Sequence, residues 1–167
     1  MQRLSRLALA LSALATLTLL SACVSLTTPD YRNTGRFSVT YQDGDGTHTT
    51  TGRYLYEEHA THKQLDLLTP LNGILARIEL DPRQACLTRS SGESLCRASS
   101  EALLNEMLGF AIPVEALGEL LRLGTMPANV SAWQARVRTK HPDGRIKLIT
   151  ITPLVPNNVS TLSIVAD

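Results

Sequence analysis

The chain reads as an α+β domain, a curved antiparallel sheet with a helical pair packed on one face. Three observations predict it. Apolar and polar residues alternate through a series of short segments from Phe37 to Cys96. From Ser99 to Gly124 the apolar spacing becomes helical. After Trp133 the alternation returns. Strands, then two helices, then strands is the order in which helices segregate to one face of an antiparallel sheet.

Each element has its own signal. Phe37, Val39 and Tyr41 alternate with polar residues; Asp43-Gly44-Asp45-Gly46 then turns the chain, and residues 47–56 run back, Thr-rich and β-prone. Residues 64–68 and 74–80 are two further strands joined by Thr69-Pro70-Leu71-Asn72-Gly73. Ile74, Ala76, Ile78 and Leu80 share one face of the second. Next comes a hairpin around Ser90-Ser91-Gly92, with Gly92 at the left-handed position. That register sets Cys86 opposite Cys96, close enough for a disulfide in a non-hydrogen-bonded pair. The alternative is two buried, reduced thiols.

Ser99 or Ser100 caps the first helix, with Glu101 in its first turn. Leu103, Leu104, Met107 and Leu108 form its apolar face, and Gly109 ends it. Pro113 opens the second helix, whose Val114, Leu117, Leu120 and Leu121 face one way. Gly124 and Pro127 terminate it. Residues 133–139, 145–152 and 161–165 are the last strands, with Pro142-Asp143-Gly144 as a turn and Pro153 and Pro156 bounding a connection.

The N-terminus is of another kind. Arg3 and Arg6 precede an uncharged apolar run over residues 7–20, followed by Ser21, Ala22 and Cys23. This is a secretory signal ending in what resembles a lipobox. The run falls short of the roughly 20 residues a spanning helix needs. Residues 1–22 are therefore expected to be a cleaved signal, with Cys23 lipidated. Residues 23–34 then form a tether, and residues 35–167 a single domain. Each buried CH₂ contributes about 0.8 kcal/mol, so one acyl chain holds marginally and two or three hold stably.

Without Arg3 and Arg6 the chain carries 14 basic and 15 acidic residues and no basic stripe, which excludes nucleic acid as a partner. With two Phe, four Tyr and one Trp, the interior must be mostly aliphatic. Such an interior is equally a packed core or a greasy cavity. A sheet curled around it, with helices across the mouth, can hold an acyl chain.

Catalytic patterns are missing. The chain has no Gly-x-Ser-x-Gly elbow and no phosphate loop, and Asp43-Gly44-Asp45-Gly46 lacks the rest of a calcium loop. Glu57-Glu58-His59 and His62 read as a solvated turn without the ligands to complete a zinc site. No catalytic residue, metal or cofactor is expected, and the chain is not read as an enzyme. Leu71, at a turn stiffened by Pro70 and Gly73, has no obvious core to enter. It either folds back onto the sheet or is displayed.

The order of these motifs resembles a known family. Gly35-Arg36-Phe37-Ser38-Val39 matches its first strand, and Leu65-Asp-Leu-Leu-Thr-Pro-Leu-Asn-Gly73 its strand and Pro-Leu-Gly turn. Ser99-Ser-Glu-Ala-Leu-Leu104, Leu108-Gly-Phe-Ala-Ile-Pro-Val114 and the run from Leu117 to Gly124-Thr-Met-Pro127 match its helices and their links. With the lipobox, the chain is similar to the LolB family of outer-membrane lipoprotein receptors. The resemblance implies a half-open barrel with a helical lid over a hydrophobic cavity. It implies a monomer, lipid-anchored on the periplasmic face of the outer membrane. Such a receptor accepts acylated lipoproteins from the periplasmic carrier LolA and inserts them into that membrane. Val24, in place of a retaining Asp, agrees with outer-membrane sorting.

On this resemblance Pro70, Leu71 and Gly73 form the membrane-insertion loop. The cavity is expected to be lined by Phe37, Val39, Leu65, Leu67, Ile74, Ile78, Leu104, Met107, Leu108, Leu117 and Leu121, their inward direction taken from periodicity. The turn is one residue longer before its Gly, Gly118-Glu119 replaces a frequent aromatic pair, and the region after Trp133 is shorter, which marks a divergent member. A sensor of acyl groups, or a structural lipoprotein on the same fold, is the alternative.

Overall fold

In the computed structural model, nine antiparallel strands form one sheet, and the described residues are 28–108, 112–156 and 158–167. The signal, Cys23 and the chain up to residue 27 lie outside them, as do Gly109-Phe110-Ala111 and the side chain of Leu108. The strands are β1 (Tyr31–Asp43), β2 (Gly46–Glu58), β3 (Lys63–Leu68), β4 (Ile74–Leu80), β5 (Ala85–Arg89), β6 (Ser94–Arg97), β7 (Trp133–Lys140), β8 (Ile146–Pro153) and β9 (Val159–Ala166). Their spatial order is β6-β5-β4-β3-β2-β1-β9-β8-β7, so the two chain-terminal strands meet in the middle. The edges β6 and β7 are not paired to each other, and the curved sheet stays open.

Between β6 and β7 come helix α1 (Ser100–Leu108), a 3₁₀ turn (Val114–Ala116) and helix α2 (Leu117–Leu123). The Ser99 hydroxyl caps α1 by accepting from the Ala102 N–H at 3.2 Å. Pro113 precedes the 3₁₀ turn, so α2 starts four residues later than the proline implies. Gly124 closes α2 at φ 76°, a left-handed conformation that costs glycine little.

β1 begins at Tyr31, so residues 31–34, expected in the tether, are sheet. Tyr31 pairs with Glu58 and Thr34 with Leu55. The polar sequence there hid a strand whose outer face is solvated.

One sheet face is mostly apolar. Val39, Tyr54, Tyr56, Leu65, Ile78, Ile149, Ile151, Leu162 and Ile164 are buried on it, under Leu104, Val114, Leu117 and Leu120 of the helical segment. The other face is largely polar. Its one buried charge, Asp66, accepts from Arg77 at 2.7 and 2.9 Å and from Gln64 at 3.1 Å. The Cys86 and Cys96 sulfurs are bonded, across a directly opposed pair with Cα atoms 4.0 Å apart. Arg89 donates its N–H to the Glu93 carbonyl beyond that pair, so alternation leaves Cys86–Cys96 in the non-hydrogen-bonded position. Among the described residues no helix is long and apolar enough to cross a membrane.

Candidate apolar ligand cavity

Between the sheet and the helical segment lies a cavity of about 280 Å³ whose lining is almost entirely apolar. Its floor comes from six strands, β2 among them through Thr50 and Tyr54. Phe37 and Val39 stand on β1, Leu65 and Leu67 on β3, Ile78 on β4, Ile151 on β8, and Leu162 and Ile164 on β9. Its roof is Leu104 of α1, Ile112 and Pro113 of the link, Val114 of the 3₁₀ turn, and Leu117 and Leu120 of α2. Tyr41, Thr50 and Tyr54 add the few polar atoms.

Two glycines make room for the floor. Phe37 pairs with Gly52, and a methyl group at Gly52 would sit 2.7 Å from the Phe37 ring. Gly35 pairs with Tyr54, and a methyl group there would lie 3.0 Å from the Tyr54 hydroxyl and 2.0 Å from the Val165 carbonyl oxygen. Each aromatic ring thus lies across a neighbouring glycine. Burial pushes the Tyr54 hydroxyl above its ordinary value; it stays protonated and donates to Asn33 at 2.7 Å.

Seven of the predicted residues line the cavity: Phe37, Val39, Leu65, Leu67, Ile78, Leu104 and Leu117. Ile74 does not. The β3–β4 register shifts beside Leu67 and Leu68, and Ile74, beyond the shift, is 44% exposed. Leu121 is buried on a side of α2 that does not reach the cavity, and Met107 packs partly buried against the core. Leu108 falls on the side chain outside the described residues. The β8 and β9 contributors were not predicted, although the alternation of Ile149 with Ile151 and of Leu162 with Ile164 was available to find them.

The roof is pinned at one end by polar groups that the sequence did not mark. Glu58, at the end of β2, accepts from Tyr56 at 2.7 Å, pairs with Arg122 of α2, and lies 3.6 Å from Lys63. Arg122 also covers the Tyr31 ring at 4.7 Å. Burial opposes the Glu58 charge, but the Arg122 and Tyr56 hydrogen bonds and the Arg122 and Lys63 charges outweigh it, so Glu58 ionises below the usual carboxylate range. Gly118 allows this approach: a methyl group there would sit 2.0 Å from Glu58 Oε1 and 2.8 Å from the Tyr56 hydroxyl. Glu115 joins the two helical pieces by accepting the Ser100 N–H at 3.0 Å and the Ser100 hydroxyl. Lys63 donates to the Glu115 carbonyl at 3.0 Å.

The neighbouring turn is less solvated than expected, the Glu57 and His59 side chains being 17% and 14% exposed; the His59 N–H donates to the His62 carbonyl and the two rings stack 4.5 Å apart. Among the described residues no group of three or more His, Cys, Asp or Glu is placed to hold a metal ion.

At the other end of the strands, Leu71 is 94% exposed. The Thr69 N–H donates to the Gly73 carbonyl, the Asn72 N–H to the Thr69 carbonyl, and the Gly73 N–H to the Thr69 hydroxyl. Asn72, at φ 63°, takes the left-handed position, not Gly73. That accounts for the extra residue in the turn and leaves Leu71 at its tip.

The family model for "Outer membrane lipoprotein LolB" matches residues 29–152, which include the roof, the displayed loop and all of the floor but Leu162 and Ile164 of β9. The chain belongs to the LolB family. It is similar to an outer-membrane lipoprotein LolB of Bordetella pertussis, 33% identical over 114 residues, 64% of this chain and 57% of that protein. It is also similar to one of Cupriavidus metallidurans, 29% identical over 133 residues, 74% of this chain and 65% of that protein. One of Ralstonia nicotianae is 31% identical over 96 residues, 58% of this chain and 46% of that protein. The chain thus spans less than two thirds of the length of these LolB relatives. At Gly118, where the chain departs from the resemblance, any side chain would have to displace the Glu58 carboxylate and the Tyr56 hydroxyl.

Proposed function

We propose that this chain is a lipoprotein of the outer membrane that accepts acylated lipoproteins from the periplasmic carrier LolA and releases them into the membrane. The observation that carries the reading is an apolar cavity under a pinned helical roof, with Leu71 displayed beyond it, formed mostly by the region that matches the LolB family. In this reading the signal over residues 1–22 is removed, Cys23 carries the acyl anchor, and the domain hangs from a short tether on the periplasmic face. It works as a monomer, without cofactor or bond-making chemistry.

Transfer then runs on differences in apolar burial. At about 30 Å³ per methylene-sized group, 280 Å³ holds roughly nine such groups. Their burial stabilises the complex by about 7 kcal/mol, against association costs of at least about 4 kcal/mol. The grip is weak enough to reverse. The space suits part of one acyl chain, so a lipoprotein with several chains requires the roof to lift. The roof's apolar contacts yield to cargo, while Glu58, Arg122 and Glu115 keep one end in place as a hinge.

The test is a three-component handover. Cargo-loaded carrier, the purified mature protein and liposomes are mixed, and the cargo is followed by flotation. The protein should empty the carrier and load the liposomes without nucleotide. Leu71→Glu should still empty the carrier but deliver at least about tenfold more slowly, since one exposed Leu is worth about 1.5–3 kcal/mol when buried in acyl chains. Delivery at the unmodified rate removes Leu71 from the mechanism. Failure to empty the carrier at all sinks the transfer reading.

A further inference from the structure

We infer that the Pro153-Leu154-Val155-Pro156 connection is a second apolar membrane contact, working beside the Leu71 loop; this deepens the proposed function and rests on it. Leu154 and Val155 are 58% and 51% exposed, side by side between two prolines. The Leu154 N–H donates to the Ala132 carbonyl at 2.8 Å, which fixes the base of the connection against the segment entering β7.

Topology places this connection with Leu71. In the order β3-β2-β1-β9-β8 every neighbour is antiparallel, so β3 and β8 run in the same direction. The loops that follow them leave the sheet at the same end. Of the six large apolar side chains exposed among the described residues, Leu71, Ile74, Leu75, Leu154 and Val155 are at that end, and only Leu123 is elsewhere. Residues 153–156 lie beyond the stretch that matches the LolB family, so this contact belongs to the chain's own C-terminal region.

The occupant is the acyl boundary of a bilayer. Two separate apolar points, the β3–β4 turn and the β8–β9 connection, leave the sheet on either side of the β1–β2 hairpin, whose tip carries Asp43 and Asp45. A membrane accepts convex points at any spacing. The acidic tip between them excludes a site that depends on lipid phosphate, so zwitterionic lipid suffices. The eight residues from Cys23 to Tyr31 reach at most about 29 Å, short of the roughly 33 Å of strand from Tyr31 to Tyr41. With the tether extended and the strands inclined by about 30° from the bilayer normal, an anchored chain presents this end to the membrane that holds it.

The experiment uses the chain's single tryptophan, Trp133. In a Trp133→Phe background, Val155→Trp places the fluorophore on the connection and Pro142→Trp places it on the exposed turn at the opposite end. The mature lipoproteins are reconstituted in phosphatidylcholine vesicles with shallow brominated acyl chains. The Val155→Trp emission should be blue-shifted and strongly quenched, and the Pro142→Trp emission neither. Emission of a water-exposed, unquenched Val155→Trp overturns the inference, as does a change seen only when carrier is added, which would assign the connection to a protein partner. Circular dichroism establishes that both probes are folded. In the handover assay Leu154→Asp/Val155→Asp should leave uptake from the carrier intact and slow delivery about tenfold. Unchanged delivery also overturns the inference, whereas loss of the Leu71→Glu effect with Val155→Trp still quenched overturns the proposed transfer role alone.

Discussion

At one end of the strands the chain connects through polar turns, and Glu58 there draws together Tyr56, Lys63 and Arg122 of the last turn of α2. At the other end Leu71, Ile74, Leu75, Leu154 and Val155 stand in solvent. The same sheet supplies both ends with the same backbone geometry, so the difference is one of side chains alone. A polar network in a half-buried place fixes position, because each member is satisfied only in one arrangement. Exposed leucines gain nothing from the folded state and are retained for something outside it. One end of the molecule is thus fixed by its polar contacts, while the other is the end that the proposed function sets against hydrocarbon.

Four substitutions break or sharpen that contrast. The largest effect belongs to Gly118→Val, which drives a side chain into Glu58 and Tyr56. It should cost about 3 kcal/mol by urea denaturation and loosen the roof, with Leu71 still displayed. An unchanged midpoint would mean that α2 does not need this close approach. Next comes Cys86→Ser/Cys96→Ser, which frees the edge strand β6 over which α1 packs. The chain-entropy model for so short a loop gives a loss of about 2–3 kcal/mol, and the reduced native protein should melt at the same temperature as the double variant.

Glu58→Gln should cost about 1–2 kcal/mol at neutral pH. Its carboxyl is held below the usual range in the fold, so its contribution is fully present above the unfolded value of about 4.3 and is lost as pH falls through the lower folded value. The melting temperature of the natural chain should therefore decline more steeply than that of the variant below about pH 4. Parallel curves would show that the Glu58 network contributes no stability. The smallest effect is expected at the Leu71 end. Asn72→Gly fits φ 63° and should stay within about 0.5 kcal/mol of the natural chain, with delivery unaltered.

Much of the fold is legible in the sequence because it is local. Alternation gives the strands, Gly92 and Gly124 give a hairpin and a helix end, and the Cys86–Cys96 register follows from loop length. The inward direction of Phe37, Val39, Leu65 and Ile78 follows from the same alternation. Two features are not local. The space inside depends on rings lying across Gly35 and Gly52 of a neighbouring strand, which composition does not report. Glu58 and Arg122 are 64 residues apart, and Glu58 reads as part of a solvated turn until α2 is laid beside it. The misplacement of Ile74 has a smaller cause, a register shift that periodicity cannot foresee.

The absent bond between β6 and β7 has a mechanical consequence. A hoop of hydrogen-bonded strands has a circumference set by strand number and stagger, and bulkier contents strain the whole ring. A cuff with a gap can spread at the gap while every ladder bond survives. Under the proposed transfer function, hydrocarbon of varied girth is admitted by flexing open and released as the cuff springs back, with the elastic cost distributed over nine strands.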